Sequence, residues 1–296
     1  SLRTLTHQIT AIVTVADNGG SSGRLREEFE ILPPGDLRMA LTALCSDDDW
    51  GRSWAEILQY RFTSEGPLNS HTVGNLLLTA LWDRDGDFVS GLDRVGSLLR
   101  VIGRVLPMAA VPLDIEGTFQ TSVGRIVVRG QKEVATAKGR LESIRIIPEN
   151  PQARPEALRA IDEADYITMG PGSWLTSVLP HLMVPAQRDA LCATKAQKII
   201  LLNLDAHPSI AGDEFAGYTP EEHLQLLNQY APSLRFDYVI ADESGVKDQE
   251  NLEAVVEGYG GKLILADLRR SPGAIYHDVA KLNSVFRHIF EEIRVE

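Results

Sequence analysis

Two stretches of the chain carry residues whose types and spacing suit the binding of an anion. In the first, Asp17, Asn18, Gly19, Gly20, Ser21, Ser22 and Gly23 follow a β-branched run and precede Arg24 and Arg26. Glycines tolerate positive φ and leave their amides unhindered, and the serines add short hydroxyls. In the second, Gly170-Pro171-Gly172-Ser173 separates an apolar strand from a helical run with Thr176 and Ser177 in its first turn. Ser173 suits the N-cap of that helix. The first amides of a helix have no internal partner and sit at the positive end of its dipole, so a phosphate arriving there meets donors already aimed at it. Arg38 adds positive potential beside Arg24 and Arg26. Asp17 could hold Mg²⁺ or accept a hydroxyl proton, and it serves equally well as a turn residue bonding its own backbone. Asp36, after Pro33-Pro34-Gly35, suits an N-cap. His71 and Asn75 lie one turn apart at the start of an apolar helix, where both can face a ligand. The plainer reading of His71 is a packed histidine near a cap.

These residues need a scaffold of alternating strands and helices. Ile9–Val15 reads as a strand buried on both faces, followed by a short helix from Arg24 to Phe29. Leu37, Ala40, Leu41 and Leu44 mark the buried face of the next helix and turn Arg38 toward the other side. Asp47-Asp48-Asp49 reads as a solvated loop, and Trp54–Arg61, a run through Trp82, and Phe88–Leu106 as helices. Ala109–Ile115, Phe119–Arg129 and Leu141–Ile147 read as strands of a small β insertion over about residues 107–148, without chemistry of its own. Strands then follow at Asp165–Met169, Lys198–Leu204 (ending at Asn203 and Asp205), Phe236–Ala241 and Lys262–Ala266. Helices are expected at Pro155–Glu163 and Trp174–Leu182. Two more run from the Thr219-Pro220-Glu221-Glu222 capping box through Tyr230, and over Asp278–Ile293. The fold class is therefore α/β: a Rossmann-like, mainly parallel sheet with helices on both faces, in one domain spanning 1–296. Ligands in such sheets gather beyond the C-terminal strand ends.

With 296 residues, 44% of them hydrophobic, the chain can bury a substantial core, and its net charge of −12 disfavours nucleic acid or an anionic membrane as partner. A small anionic ligand needs only local positive potential and stays open, as does a homo-oligomer. Cys45 and Cys192 form neither a CxxC pair nor a zinc pattern. No segment has the length of a membrane span and the start is not a signal peptide, so a cytoplasmic location is expected. GxxxxGK[ST] and GxGxxG are missing, which disfavours P-loop NTPases and NAD dehydrogenases. The remaining composition fits a nucleoside diphosphate or its sugar ester, with no covalently bound cofactor.

VTVADNGGSSGRLR, LPPGDLRMAL, NSHTVGNLLLTAL (69–81) and MGPGSWLTSVLPHLMV (169–184) together resemble the bacterial gluconeogenesis factor family (YvcK-like), relatives of the 2-phospho-L-lactate transferases (CofD-like). The resemblance implies a regulator that binds UDP-sugars such as UDP-glucose and UDP-N-acetylglucosamine and is linked to cell shape and wall synthesis. The transferase relatives imply an alternative: Mg²⁺-dependent transfer of a phospholactyl group from a guanosine diphosphate-linked donor to a deazaflavin, with acidic residues at the places of Asp17 and Asn18. Two departures matter. Asn18 stands where the family commonly has a second aspartate, which weakens the transferase reading, and Ser70 stands where it commonly has glycine. The family also normally opens with a strand and a glycine-rich loop ahead of this point, whereas Leu2–Leu5 here reads as the end of a helix, so the chain looks as if it starts partway through an α/β unit.

Overall fold

The computed structural model describes residues 2–204 and 218–292. Strand β1 (Thr10–Val13) runs into an extended, fully buried stretch, Thr14 to Ala16, and then into α1 (Gly20–Phe29). Four helices follow: α2 (Pro34–Ala43), α3 (Asp49–Gln59), α4 (Val73–Asp85) and α5 (Phe88–Leu99). The chain then returns as β2 (Arg104–Pro107), parallel to β1, with Thr10 opposite Arg104 and Val13 opposite Pro107.

Several expected boundaries move here, each for a local reason. Among the described residues β1 pairs only with β2, and it is half-buried, with Thr10 exposed, rather than covered on both faces. The helix expected to reach Leu106 stops at Leu99, where Arg100 takes a left-handed φ of 53°, and residues 104–107 join the sheet instead. The acidic triple is not a loop. Asp48 caps α3 by accepting the Gly51 amide at 2.7 Å, and Asp49 is its first residue. The capping-box helix starts and ends as expected.

The middle of the chain forms an antiparallel sheet of β3 (Asp114–Thr121), β4 (Gly124–Arg129) and β5 (Arg140–Ile147), in the order β4-β3-β5, with the short α6 (Gln131–Ala135) between β4 and β5. Next come α7 (Pro155–Asp162) and β6 (Tyr166–Met169), then a one-turn π-helix (Trp174–Val178), α8 (Pro180–Met183) and α9 (Pro185–Ala193). The remaining elements are β7 (Gln197–Leu201), α10 (Pro220–Tyr230), β8 (Tyr238–Asp242), α11 (Gln249–Gly258), β9 (Lys262–Ala266) and α12 (Val279–Glu292). β6 to β9 make a four-stranded parallel sheet in sequence order. The strand expected to continue to Leu204 ends at Leu201; Asp205 and Ile293, also expected in these elements, lie outside the described residues.

The period-two alternation of a strand distributes this sheet's side chains to two faces. Ile199, Leu201 and Ile240 pack with Leu282, Phe286 and Ile289 of α12, while Ile200, Leu202, Val239 and Ala241 join the main core with Leu224 and Leu227 of α10 and Leu252 and Val256 of α11. Parallel sheets flanked by helices, as expected for the class, are thus present, but in two pieces. A cavity of about 910 Å³ lies where β1 and β2 face β6, lined also by Leu2, Leu5 and Phe290. Among the described residues no helix is long and apolar enough to cross a membrane.

Candidate functional site

The turn after β1 is shorter than the sequence suggests. Asp17 Oδ1 accepts the Gly19 amide at 2.9 Å, Gly19 is the N-cap, and α1 begins at Gly20 with φ 49°, four residues ahead of Arg24. Ser21, Ser22 and Gly23 are therefore helical. A Cβ on Gly23 would lie 2.2 Å from the Asn18 carbonyl oxygen, so the glycine is what lets the helix fold back this tightly onto the turn. The other carboxylate oxygen of Asp17 faces the start of α2. A Cβ on Gly35 would sit 2.6 Å from Asp17 Oδ2 and 2.4 Å from Ser22 Oγ, so both helix starts meet at one carboxylate.

Ser21, His71, Asn75 and Arg38 are all at least nine-tenths buried and are joined by hydrogen bonds. Ser21 Oγ lies 3.0 Å from His71 Nδ1, and Asn75 Nδ2 donates to Ser21 Oγ at 3.0 Å and to Ser22 Oγ at 3.4 Å. The Thr72 amide also donates to Ser21 Oγ, at 3.5 Å. Two donors fill the lone pairs of the hydroxyl, so its own proton goes to His71 Nδ1, which places the ring proton on Nε2. Burial, helped by the positive charge of Arg24, lowers the His71 pKa, so the ring is neutral near pH 7. Arg38 Nε donates to Asn75 Oδ1 at 3.0 Å. The expectation that Arg38 turns away from the buried face of α2 is not met, because α2 is enclosed on nearly all sides and only Met39 and Ala43 on it are exposed.

Asp36 is not an N-cap; that position is Pro33, and Asp36 sits in the first turn of α2. Proline at N1 shifts the start by three residues. Burial, and then the neighbouring Asp17 charge, push the Asp36 pKa up. Asp36 and the neighbouring Asp17, whose Oδ2 is not committed to the backbone, form a donor set suited to a hard divalent cation such as Mg²⁺.

The β insertion reaches this site through a residue that nothing in its pattern marked. The Gln131 amide donates to Asn18 Oδ1 at 3.0 Å and Gln131 Nε2 donates to Asp36 Oδ2 at 3.3 Å. Its only sequence signal is the glycine before it, Gly130, which takes φ 118° to end β4. Arg26 leaves the site: it pairs with Asp114 at 2.8 Å and donates to the Leu113 carbonyl, fastening α1 to β3. Arg24 stays at the rim, donating to the Pro67 and Asn69 carbonyls at 3.1 and 2.7 Å.

The second turn has the expected cap and a different helix. Ser173 Oγ accepts the Thr176 amide at 3.1 Å and contacts Thr176 Oγ1, but the element it starts is the five-residue π-turn, not a helix continuous to Leu182. Gly170 and Gly172 have φ of 77° and 151°, and Asn203 clamps Gly172, accepting its amide at 3.0 Å and donating to its carbonyl at 2.8 Å. Gly170 and Ser177 also line the cavity beside β1. Among the described residues no hydrogen bond joins this turn directly to the first one. α6 lies between them, packed against the π-turn while its Gln131 holds Asn18 and Asp36.

This arrangement of turns on a split parallel sheet has known counterparts. The family model of 2-phospho-L-lactate transferase CofD matches residues 1–270. The chain belongs to the CofD family. Within it, the chain is 44% identical over 290 residues to a Mycobacterium tuberculosis protein provisionally named a gluconeogenesis factor, covering 96% of this chain and 83% of that one. It is 36% identical over 251 residues to the gluconeogenesis factor of Bacillus subtilis, covering 84% of this chain and 76% of that one. A crystal structure of a UPF0052 family member from Bacillus halodurans superposes with a TM-score of 0.81 at 31% identity, covering 96% of this chain and 92% of that one.

Proposed function

We propose that this CofD-family chain is a nucleotide-sugar-binding regulatory protein, a gluconeogenesis factor whose ligands are UDP-sugars such as UDP-glucose and UDP-N-acetylglucosamine and whose role concerns cell shape and wall synthesis. The observation that carries the reading is Arg38. It is 5% exposed, its Nε is held by Asn75, and among the described residues it has no carboxylate within ion-pair distance. A buried guanidinium without an anion is costly, and a phosphoryl group supplies the missing charge in the geometry guanidinium prefers. The start of α1 lies beside it and offers helix amides and a favourable dipole to the same group. Gly170, Gly172, Ser173, Thr176 and Ser177 would receive the rest of the ligand from the other side of α6. A Mg²⁺ accompanying a diphosphate would be held by Asp17 and Asp36 and would neutralise charge there.

Asn18 favours binding over transfer. Its side-chain oxygen is engaged by the Gln131 amide, and it brings no second carboxylate to Asp17. The transferase alternative draws on the family description alone.

Thermal unfolding with UDP-N-acetylglucosamine tests the proposal, because a ligand that binds only the native state raises Tm by mass action. A rise of several degrees is expected at a hundredfold excess over Kd, equivalent to about 2.7 kcal/mol. No shift at millimolar UDP-sugar refutes UDP-sugar binding. Nucleotide release from a guanosine-linked phospholactate donor in the presence of Mg²⁺ and deazaflavin would establish the transferase instead.

A further inference from the structure

Three arginines converge on residues 67–75, and none has a carboxylate within ion-pair distance among the described residues. Arg24 reaches the segment through the Pro67 and Asn69 carbonyls, Arg38 through Asn75, and Arg61 through the Ser70 carbonyl, which its Nη1 meets at 3.0 Å. Elsewhere the chain pairs its arginines freely, as with Arg26, Arg104, Arg129, Arg145 and Arg269. In a chain with net charge −12, three guanidiniums left without carboxylates on one nine-residue segment stand out.

Arg61 is held there by the backbone. Residues 60–62 and 70–73 form a short antiparallel bridge, with Arg61 opposite Thr72. The Phe62 amide donates to the His71 carbonyl at 3.0 Å, the Ser70 amide to the Phe62 carbonyl at 2.8 Å, and the Val73 amide to the Tyr60 carbonyl at 3.0 Å. Ser70 adopts a left-handed φ of 65°, a conformation disfavoured for a residue with a side chain, and its carbonyl is the one Arg61 binds. Arg38 is fixed from the opposite side. Its Cδ and Cγ lie where a Cβ on Gly74 would be 2.7 and 2.8 Å away, so only glycine leaves room for its stem. The Arg61 charge acts on Arg38: burial first, and Arg61 second, lower the Arg38 pKa. Two like charges act on one another here; Asp36 and Asp17 offset part of the effect on Arg38, but no carboxylate among the described residues lies within ion-pair distance of either arginine.

We infer that Arg61 binds the second phosphoryl group of a diphosphate ligand, one phosphate beyond the group that Arg38 shares with the start of α1. The inference rests on the nucleotide-binding reading for the identity of the ligand, and it sets the class: diphosphates over monophosphates. Arg24, at the rim of the same segment, contributes longer-range attraction.

Titration calorimetry on the parent chain, Arg61→Ala and Arg61→Lys, with UMP, UDP and inorganic pyrophosphate at two salt concentrations, tests this. The parent is expected to bind UDP at least tenfold more tightly than UMP. Arg61→Ala should abolish that preference while leaving UMP within about twofold, and should lower the slope of log affinity against log salt for UDP. Arg61→Lys keeps the charge and should recover part of the UDP affinity, which separates anion binding from a purely structural role of the Ser70 contact. Equal loss for UMP and UDP in Arg61→Ala, or loss of neither, overturns the inference. If the parent ignores both nucleotides but binds pyrophosphate through Arg61, the nucleotide reading falls and the arginine site stands. If the parent binds none of the three, both fall.

Discussion

At the scale of single residues, the site combines charges that oppose one another in the absence of a ligand. Asp36 is buried next to Asp17, and both effects raise its pKa. A carboxyl group whose folded pKa lies above its unfolded value is easier to protonate in the native state. It therefore costs the fold stability as pH rises from the ordinary aspartate range through the raised value. Asp36→Asn removes the charge and keeps an oxygen for Gln131, so its urea midpoint at pH 7 should exceed that of the parent. The excess should shrink toward zero at a pH below the ordinary aspartate value. A variant no more stable than the parent at pH 7 would show that the Asp17–Asp36 repulsion is relieved some other way. Of these charges, Asp17, Asp36, Arg24 and Arg38 were visible in sequence because glycines and a helix start flank them. Arg61 and Gln131 were not. Their side chains meet the site through a two-residue bridge and a strand end that no local pattern encodes.

At the scale of elements, the sequence located most helices and the strands of the second sheet, and it misjudged how they approach one another. The glycine turn after β1 was legible, but α1 starts inside it because Gly23 can press against the Asn18 carbonyl, a tertiary fit that propensity cannot register. The apolar spacing of Leu37 and Leu41 correctly marked a buried face of α2. It could not show that α1, α3, α4 and α5 also cover α2, which encloses Arg38 as well. Gly74 shows the dependence most directly. Its added Cβ would lie 2.7 Å from Arg38 Cδ and 2.9 Å from the Leu58 carbonyl oxygen, and the latter is backbone that cannot swing aside. Gly74→Ala should therefore cost about 1–3 kcal/mol, as overpacking does, read as a lower urea midpoint at unchanged slope. It should also weaken UDP binding by displacing Arg38. An alanine variant with parental stability and affinity would mean that α3 and α4 separate easily, and that Arg38 is not held in the way described.

At the scale of the whole molecule, the alternating pattern correctly implied parallel α/β structure, yet alternation alone could not reveal that the sheet is divided. β1 pairs only with β2, and β6 pairs only with β7 among the described residues, so each leaves one edge facing the 910 Å³ cavity. Unpaired strand edges are the places where a sheet opens first, because fewer ladder bonds must break. β7 and β8 are paired on both sides and covered by α12 on one face and by α10 and α11 on the other. Native-state hydrogen exchange should then place the amides of β7 and β8 at the protected extreme, and those of β1 and β6 on the order of 100-fold faster. The two fast strands lead directly into Asp17–Gly20 and Gly170–Ser173. A ligand seated on both turns ties the divided sheet together across α6, so UDP-N-acetylglucosamine should slow exchange in β1 and β6 together while barely changing β7. Slowing confined to β1 would assign the ligand to the first turn alone and remove Ser173, Thr176 and Ser177 from the binding surface.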